Sequence, residues 1–279
     1  MKNYLLGVDL GSGSVKLTLL HRAGEVVASV VEEYPTHYPQ PGWAEQHPED
    51  WCAAFKAALQ KLLAAARVSA DEMMALAPDA ATHTAVLLDE SCRPLCDAIL
   101  WTDQRSSKEV SFLKKEYLDL IMGQTLHAPT CVWTLPQMMW LKAHRPEVWQ
   151  KTRHLLFAKD YLRFRLTGEL MTDTIEAMGS MFYDCVKQEW SKELCAAAGI
   201  DESWLPQLRS PTDVAGVVTK AAAREFGLCE GTPVLVGATD TVLEQLAAGS
   251  VAVGHGVVKL ATAGRICIIS DHECPSPYL

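Results

Sequence analysis

The chain has 279 residues, 49% hydrophobic and 21% charged, with a formal net charge of −9. That length suits one large or two modest domains with real cores. The acidic balance argues against a nucleic-acid backbone or an anionic membrane surface as the main partner, though not against an anionic small molecule in a local positive pocket.

The opening apolar run, "YLLGVDL", is short and interrupted by Asp9, so it does not read as a signal peptide. Residues 247–264 are weakly polar but contain several glycines, His255 and Lys259, and do not read as a membrane span. Nine cysteines without a repeating spacing read as reduced thiols, and Cys92 and Cys96 lack the second pair that a zinc site needs. A cytoplasmic location is the expectation.

In chain order, residues 5–10 and 15–20 predict strands on either side of the turn Gly11-Ser12-Gly13-Ser14, and residues 26–31 predict a third. Tight turns between them imply an antiparallel meander. Residues 34–51, "YPTHYPQPGWAEQHPEDW", hold four prolines and predict an irregular connection. Pro48-Glu49-Asp50 then starts a helix that reaches about Ala66, with Trp51, Phe55, Leu59, Leu62 and Leu63 on one face. Residues 74–78 and 84–88 predict short strands with "DAATH" between them. Helices are expected at 135–144, at 159–166 stopped by Gly168, and at 220–226 stopped by Gly227. Strands are expected at 233–236, ending in "GATD", at 251–253, and at 257–260, followed by "ATAG". The order predicts an α/β chain with a mixed sheet.

The first turn is not a P-loop, because G-x-x-x-x-G-K-[ST] is absent. Nor is it a dinucleotide fingerprint, whose glycines must open a helix, since "VKLTLL" after the turn is strand-forming. A glycine hairpin can still form an anion nest from successive backbone N–H groups. Asp9 just before it would offer a carboxylate to magnesium on the bound phosphate. The competing reading is a plain hairpin with Asp9 as a turn residue. A second strand and small-residue turn, "KLATAG" with Thr262, and a strand-end acid in "GATDTV", Asp240, complete the parts needed for ATP-dependent phosphoryl transfer.

These stretches, with "GWAEQHPEDW", "AILWTDQRS", "KDYLRFRLTGE" and "TDTIEAMGSMFYD", resemble the FGGY family of carbohydrate kinases over essentially the whole chain, and within it the xylulokinases. The resemblance implies a ribonuclease-H-like fold of the actin, hexokinase and Hsp70 type, with two lobes around a cleft. It implies ATP and magnesium as cofactors and a primary hydroxyl of a small ketose or polyol, such as the pentulose xylulose, as acceptor. Asp240 matches the family's general base. Asp9 matches the acid that acts through magnesium, directly or through water. Ser12, Gly13 and Ser14 match the first phosphate turn, and Thr262 and Gly264 the second. Thr82, His83 and Asp103 match sugar contacts, although His83 also suits an ordinary loop and Asp103 a cap for a helix starting at Arg105. Arg105 and Lys16 read as solvated charges.

The sequence departs from the family pattern at Ala80-Ala81-Thr82-His83-Thr84, where xylulokinases read Gly-Gln-Met-His-Gly, and at Thr241, where they carry an amide. The first lobe is expected over residues 1–247. Residues 248–279 would be only the start of a nucleotide-binding lobe, truncated relative to the family, so the chain alone is expected to be inactive. A phosphoanhydride hydrolase of the same superfamily and a catalytically incomplete sugar-binding lobe are the rival readings. A homodimer is left open.

Overall fold

A computed structural model describes residues 2–260 and 264–275. The elements that build the site are β1 (Tyr4–Leu10), β2 (Ser14–His21), β3 (Val26–Glu33), α1 (Pro48–Ala66), β4 (Met73–Ala80), β5 (Ala85–Leu88), α2 (Thr134–His144), β6 (His154–Phe157), α3 (Ala158–Thr167), α4 (Thr174–Ser180), β7 (Val214–Val217), α5 (Lys220–Phe226), β8 (Pro233–Leu235), β9 (Ala238–Thr239), α6 (Asp240–Ala247), β10 (Gly256–Lys259) and β11 (Arg265–Ile268).

The main sheet runs in the order β7-β8-β4-β1-β2-β3, with β9 also pairing β4. β1, β2 and β3 form the expected antiparallel meander, whereas β4 lies parallel to β1 and to β8. The sheet is therefore mixed. Alternation drives the meander: Leu6, Val8 and Leu10 on β1 and Val15, Leu17 and Leu19 on β2 are all buried. Against that face packs α1, with Trp51, Phe55, Leu59 and Leu62 buried. His47 caps α1 by accepting the backbone N–H of Glu49 at Nδ1 (3.2 Å), and Pro48 occupies the first turn, where its missing N–H costs nothing. Glu49 then ties α1 to α3 through Arg165 (2.5 Å) and Tyr161. Gly168 ends α3 at φ 81°, in the left-handed cap position foreseen for it.

A second core lies around α2 and β6, with Leu135, Met138, Leu155, Phe157 and Phe182 buried. Its helices Ser107–Glu116, Leu118–Thr125 and Lys192–Ala198, together with α4, lie beyond the elements expected from the sequence. Residues 251–253, expected as a strand, instead lie in a bend and turn. His255 donates its N–H to the Ala252 carbonyl (2.9 Å), and Gly249 and Gly254 both take positive φ, so the chain reverses there. The β10–β11 hairpin that follows leaves Val258, Ile266 and Ile268 well exposed.

Candidate active site

The site gathers at the C-terminal ends of β1 and β4. These strands are parallel and in register, so Asp9 lies directly opposite Asp79, and Ala238 of β9 pairs with Asp79 from the other side. The approach of β9 depends on Gly237. Its φ is 82°, and a Cβ there would stand 1.9 Å from the carbonyl oxygen of Pro78. Only glycine allows the chain to pass β4 so closely and turn into α6, whose first residue is Asp240.

Three carboxylates, Asp9, Asp79 and Asp240, thus converge. Burial and the charges of Asp9 and Asp240 push the Asp79 carboxyl up to about 8, which keeps it protonated at neutral pH. Burial and Asp240 also raise Asp9, against a hydrogen bond from Asp79 that stabilises its charged form. Asp79 was not singled out by the sequence. Its one signal is an acid at the end of an apolar strand. Among the described residues no group of three acids, histidines or cysteines is arranged to hold a metal ion unaided. An all-oxygen set still fits magnesium, which usually takes one or two carboxylates and completes its shell with phosphate oxygens and water.

The first turn is fixed from beneath. Gly11 N–H donates to the Ser14 carbonyl (2.9 Å), the Tyr34 hydroxyl donates to the Gly11 carbonyl, and Tyr34 N–H donates to the Gly13 carbonyl (3.2 Å). Gln46 Nε2 holds the Ser12 carbonyl (2.8 Å), and Trp101 Nε1 donates to Ser12 Oγ (3.1 Å). With three successive carbonyls engaged, the N–H groups of Ser12 and Gly13 have no backbone acceptor among the described residues, and both residues are exposed. That is the arrangement an anion nest requires.

On the opposite side, α6 and the β10–β11 hairpin are joined by side chains. Glu244 pairs with Lys259 (2.5 Å) and Arg265 (2.9 Å). Arg265 also donates to the Thr241 hydroxyl, which in turn donates to Asp240 Oδ1 (3.1 Å). Thr241 therefore orients the carboxylate beside it. Gly264 is exposed and lines the cleft, while Thr262 lies outside the described residues.

The cleft between these parts has a volume of about 660 Å³. His83 forms part of its wall in a left-handed conformation (φ 69°) held from both sides. Its N–H donates to Glu176 Oε1 (2.8 Å), and its carbonyl accepts from the Thr134 hydroxyl (2.8 Å). Its ring packs on Trp133 (centroids 4.6 Å apart), and Nε2 meets the Thr82 hydroxyl at 2.8 Å. Nδ1 is buried without a hydrogen-bond partner, against Gly179, where a Cβ would come within 1.8 Å of it. Burial lowers the His83 pKa to about 3, so the ring is neutral. His127 also packs on Trp133 (centroids 4.9 Å apart), and burial lowers its pKa.

Asp103 is placed elsewhere. It is fully buried, accepts the N–H groups of Ala44 (2.6 Å) and Arg105 (2.8 Å), and grips the Arg105 guanidinium with both oxygens. It does not line the cleft, and the nearest helix starts at Ser107, not at Arg105. Arg105 is not a solvated charge: its side chain is 2% exposed, pairs with Glu45 (2.5 Å) and lies 3.8 Å from the Trp43 ring centroid. Asp103 and Arg105 thus brace the loop that carries Trp101.

Beneath the cleft lies a buried ionic network. Lys159 contacts Asp160 and Asp173 (2.6 Å each), and Arg163 contacts Asp160 (2.9 Å) and donates to the Val236 carbonyl (2.8 Å). Asp173 caps α4 through the N–H groups of Ile175 (2.9 Å) and Glu176 (3.0 Å). The network joins the two sides of the site, since Glu176 holds the His83 backbone and Val236 leads into the Gly237 bend. Burial pushes Glu176 up to about 8, against the pull of Lys159.

The model of the N-terminal domain of the FGGY family of carbohydrate kinases matches residues 4–247. A xylulose kinase of Bacillus subtilis is 33% identical over 270 residues, 97% of this chain and 54% of that protein. A glycerol kinase of Thermococcus gammatolerans is 32% identical over 225 residues, 79% of this chain and 45% of its own length. The crystal structure of xylulose kinase from Rhodospirillum rubrum superposes with a TM-score of 0.93 at 28% identity, covering 98% of this chain and 56% of that one. The chain therefore spans about half the length of the relatives it matches, and its mixed α/β fold is that of the sugar kinases of the actin and hexokinase type. The chain belongs to the FGGY family of carbohydrate kinases.

Proposed function

We propose that this chain forms the sugar-side lobe, residues 1–247, and the first part of the nucleotide lobe, residues 248–279, of a cytoplasmic ATP-dependent kinase acting on a primary hydroxyl of a small ketose, a pentulose such as xylulose. The observation that carries this reading is the placement of Asp240. It is delivered by the Gly237 bend, oriented by Thr241 and Arg265, and faces the cleft shared by the first turn and the His83 wall. A carboxylate so held is suited to take the proton from the attacking hydroxyl as the γ-phosphoryl group is transferred, a role worth about 10²–10⁴-fold in rate.

The N–H groups of Ser12 and Gly13, with Ser14, suit the phosphates from one side, and Thr262 and Gly264 would meet them from the other. Magnesium held through Asp9, directly or through water, would neutralise phosphate charge. Thr82 and His83 would contact the sugar, and Asp103 would act through the loop it braces. In the enzyme with both lobes, ADP release should rise with D-xylulose, and the product should be a phosphate ester of a primary hydroxyl. ADP release indifferent to every ketose would instead indicate a hydrolase.

A further inference from the structure

Two histidines line the cleft and pack on Trp133, and their ring nitrogens are in opposite states. His83 has spent both. Its Nε2 meets the Thr82 hydroxyl (2.8 Å), and its Nδ1 is buried against Gly179 without a partner. What it offers a ligand is a ring edge and the Thr82 hydroxyl that it holds. The His127 ring is half-buried and makes no hydrogen bond among the described residues. Burial lowers its pKa, so at neutral pH the ring is uncharged, with one nitrogen to donate and one to accept.

The backbone around His127 is fixed well enough to aim that ring. The helix Leu118–Thr125 ends at Leu126 in a left-handed conformation (φ 63°), with the Leu126 N–H donating to the Met122 carbonyl (3.2 Å). The Thr125 hydroxyl accepts the His127 N–H (3.3 Å) and lies within reach of the His127 carbonyl (3.2 Å). The Trp133 indole N–H donates to the Ala128 carbonyl (3.1 Å), so the side chain on which His127 packs also ties down the next residue. Every tie is to backbone, and the imidazole is left free. Val132, Ile175 and Met178 line the same cleft. A ligand that covers an imidazole among such side chains strips it of water, a cost recovered only if the ligand bonds to it.

We propose that His127 is a specificity-determining residue, whose imidazole hydrogen-bonds a hydroxyl of the bound ketose and so reads that hydroxyl's orientation. The inference rests on the ketose kinase reading and adds to it the side chain that tells one pentulose from another. The probes are D-xylulose, D-ribulose, L-xylulose and L-ribulose, which differ only in the orientation of two hydroxyls. Titration calorimetry of the enzyme with both lobes should separate the tightest from the weakest by about tenfold or more, the scale of one hydrogen bond made or left unmade. His127→Phe keeps a ring for Trp133 but has no nitrogen. It should weaken the tightest pentulose by about tenfold and bring the ratio between the pentuloses towards one. His127→Gln, which returns a donor and an acceptor, should recover part of that ratio. A general loss of structure lowers all affinities together, so a parent-like ratio in His127→Phe would overturn the assignment. Equal binding of all the pentuloses by the parent would also overturn it and leave the ketose kinase reading standing. Binding of none of them would overturn both.

Discussion

The two sides of the cleft are held in different ways. The turn at Gly11–Ser14 is tied from below by Tyr34, Gln46 and Trp101 and rests on a sheet whose inward side chains are buried. The β10–β11 hairpin is tethered to α6 by Lys259 and Arg265, which share Glu244 in ion pairs about one-third to two-fifths exposed. Ile266 and Ile268 are 72% and 69% exposed. The turn is held by several bonds that are part-buried or, at Trp101, exposed, each worth about 1 kcal/mol and indifferent to salt. The partly exposed ion pairs contribute about 0.2–1 kcal/mol and are screened by salt. The first side is therefore pre-organised, and the second is positioned chiefly through the Arg265–Thr241–Asp240 chain. Asp240 stands at the seam.

The largest expected effect falls there. In the enzyme with both lobes, Asp240→Asn should lower kcat and kcat/KM together by about 10²–10⁴-fold, because a general base acts in the transition state. Steady-state ADP release measures this, and turnover within a few-fold of the parent would move the base elsewhere.

Next in size is Gly237→Ala. A left-handed φ and a Cβ aimed at the Pro78 carbonyl should together cost about 2–5 kcal/mol, seen as a lower denaturation midpoint at unchanged m. A variant as stable as the parent would show that β9 does not need to pass β4 so closely.

A smaller effect concerns the buried network. The Glu176 carboxyl lies at about 8 in the fold against an ordinary value of 4.5, so the folded state favours its neutral form. Its contribution is fully present below pH 4.5 and is lost as pH rises through about 8. Glu176→Gln stays neutral and keeps an oxygen for the His83 N–H. Thermal melts should therefore show the parent losing stability between these limits more steeply than the variant. Parallel pH profiles would contradict a raised Glu176 carboxyl.

The smallest effect sharpens the contrast between the two sides. Tyr34→Phe removes the donor to the Gly11 carbonyl and should cost about 0.5–1.5 kcal/mol at any ionic strength, with a modest rise in KM for ATP. Glu244→Ala should cost less than about 1 kcal/mol, and that loss should fade with added salt. Chemical denaturation in urea at low and high salt separates them.

Much of this was legible in the residues. The meander, α1 and the Gly168 stop follow from alternation, helical periodicity and local capping, which act over a few residues. The first glycine turn and the strand-end position of Asp240 were legible because strand-end acids and small-residue turns are also local signals, whereas the second turn lies largely outside the described residues. Asp79 and Glu176 were not, since each becomes significant only when distant segments meet: β4 beside β1, and α4 beneath the His83 loop. Gly179 carries no local signal at all, and its role lies in the space taken by the His83 ring. Arg105 was misread because arginine is usually solvated, and only the tertiary meeting of Trp43, Glu45 and Asp103 buries it.

The central claim is that Asp240 acts on a bound hydroxyl rather than holding the sugar in place. Titration calorimetry of Asp240→Asn with the pentulose tests it most directly, because it separates binding from turnover. The account predicts a Kd within a few-fold of the parent's in a variant that has lost nearly all turnover. Loss of pentulose binding in step with loss of turnover would contradict it.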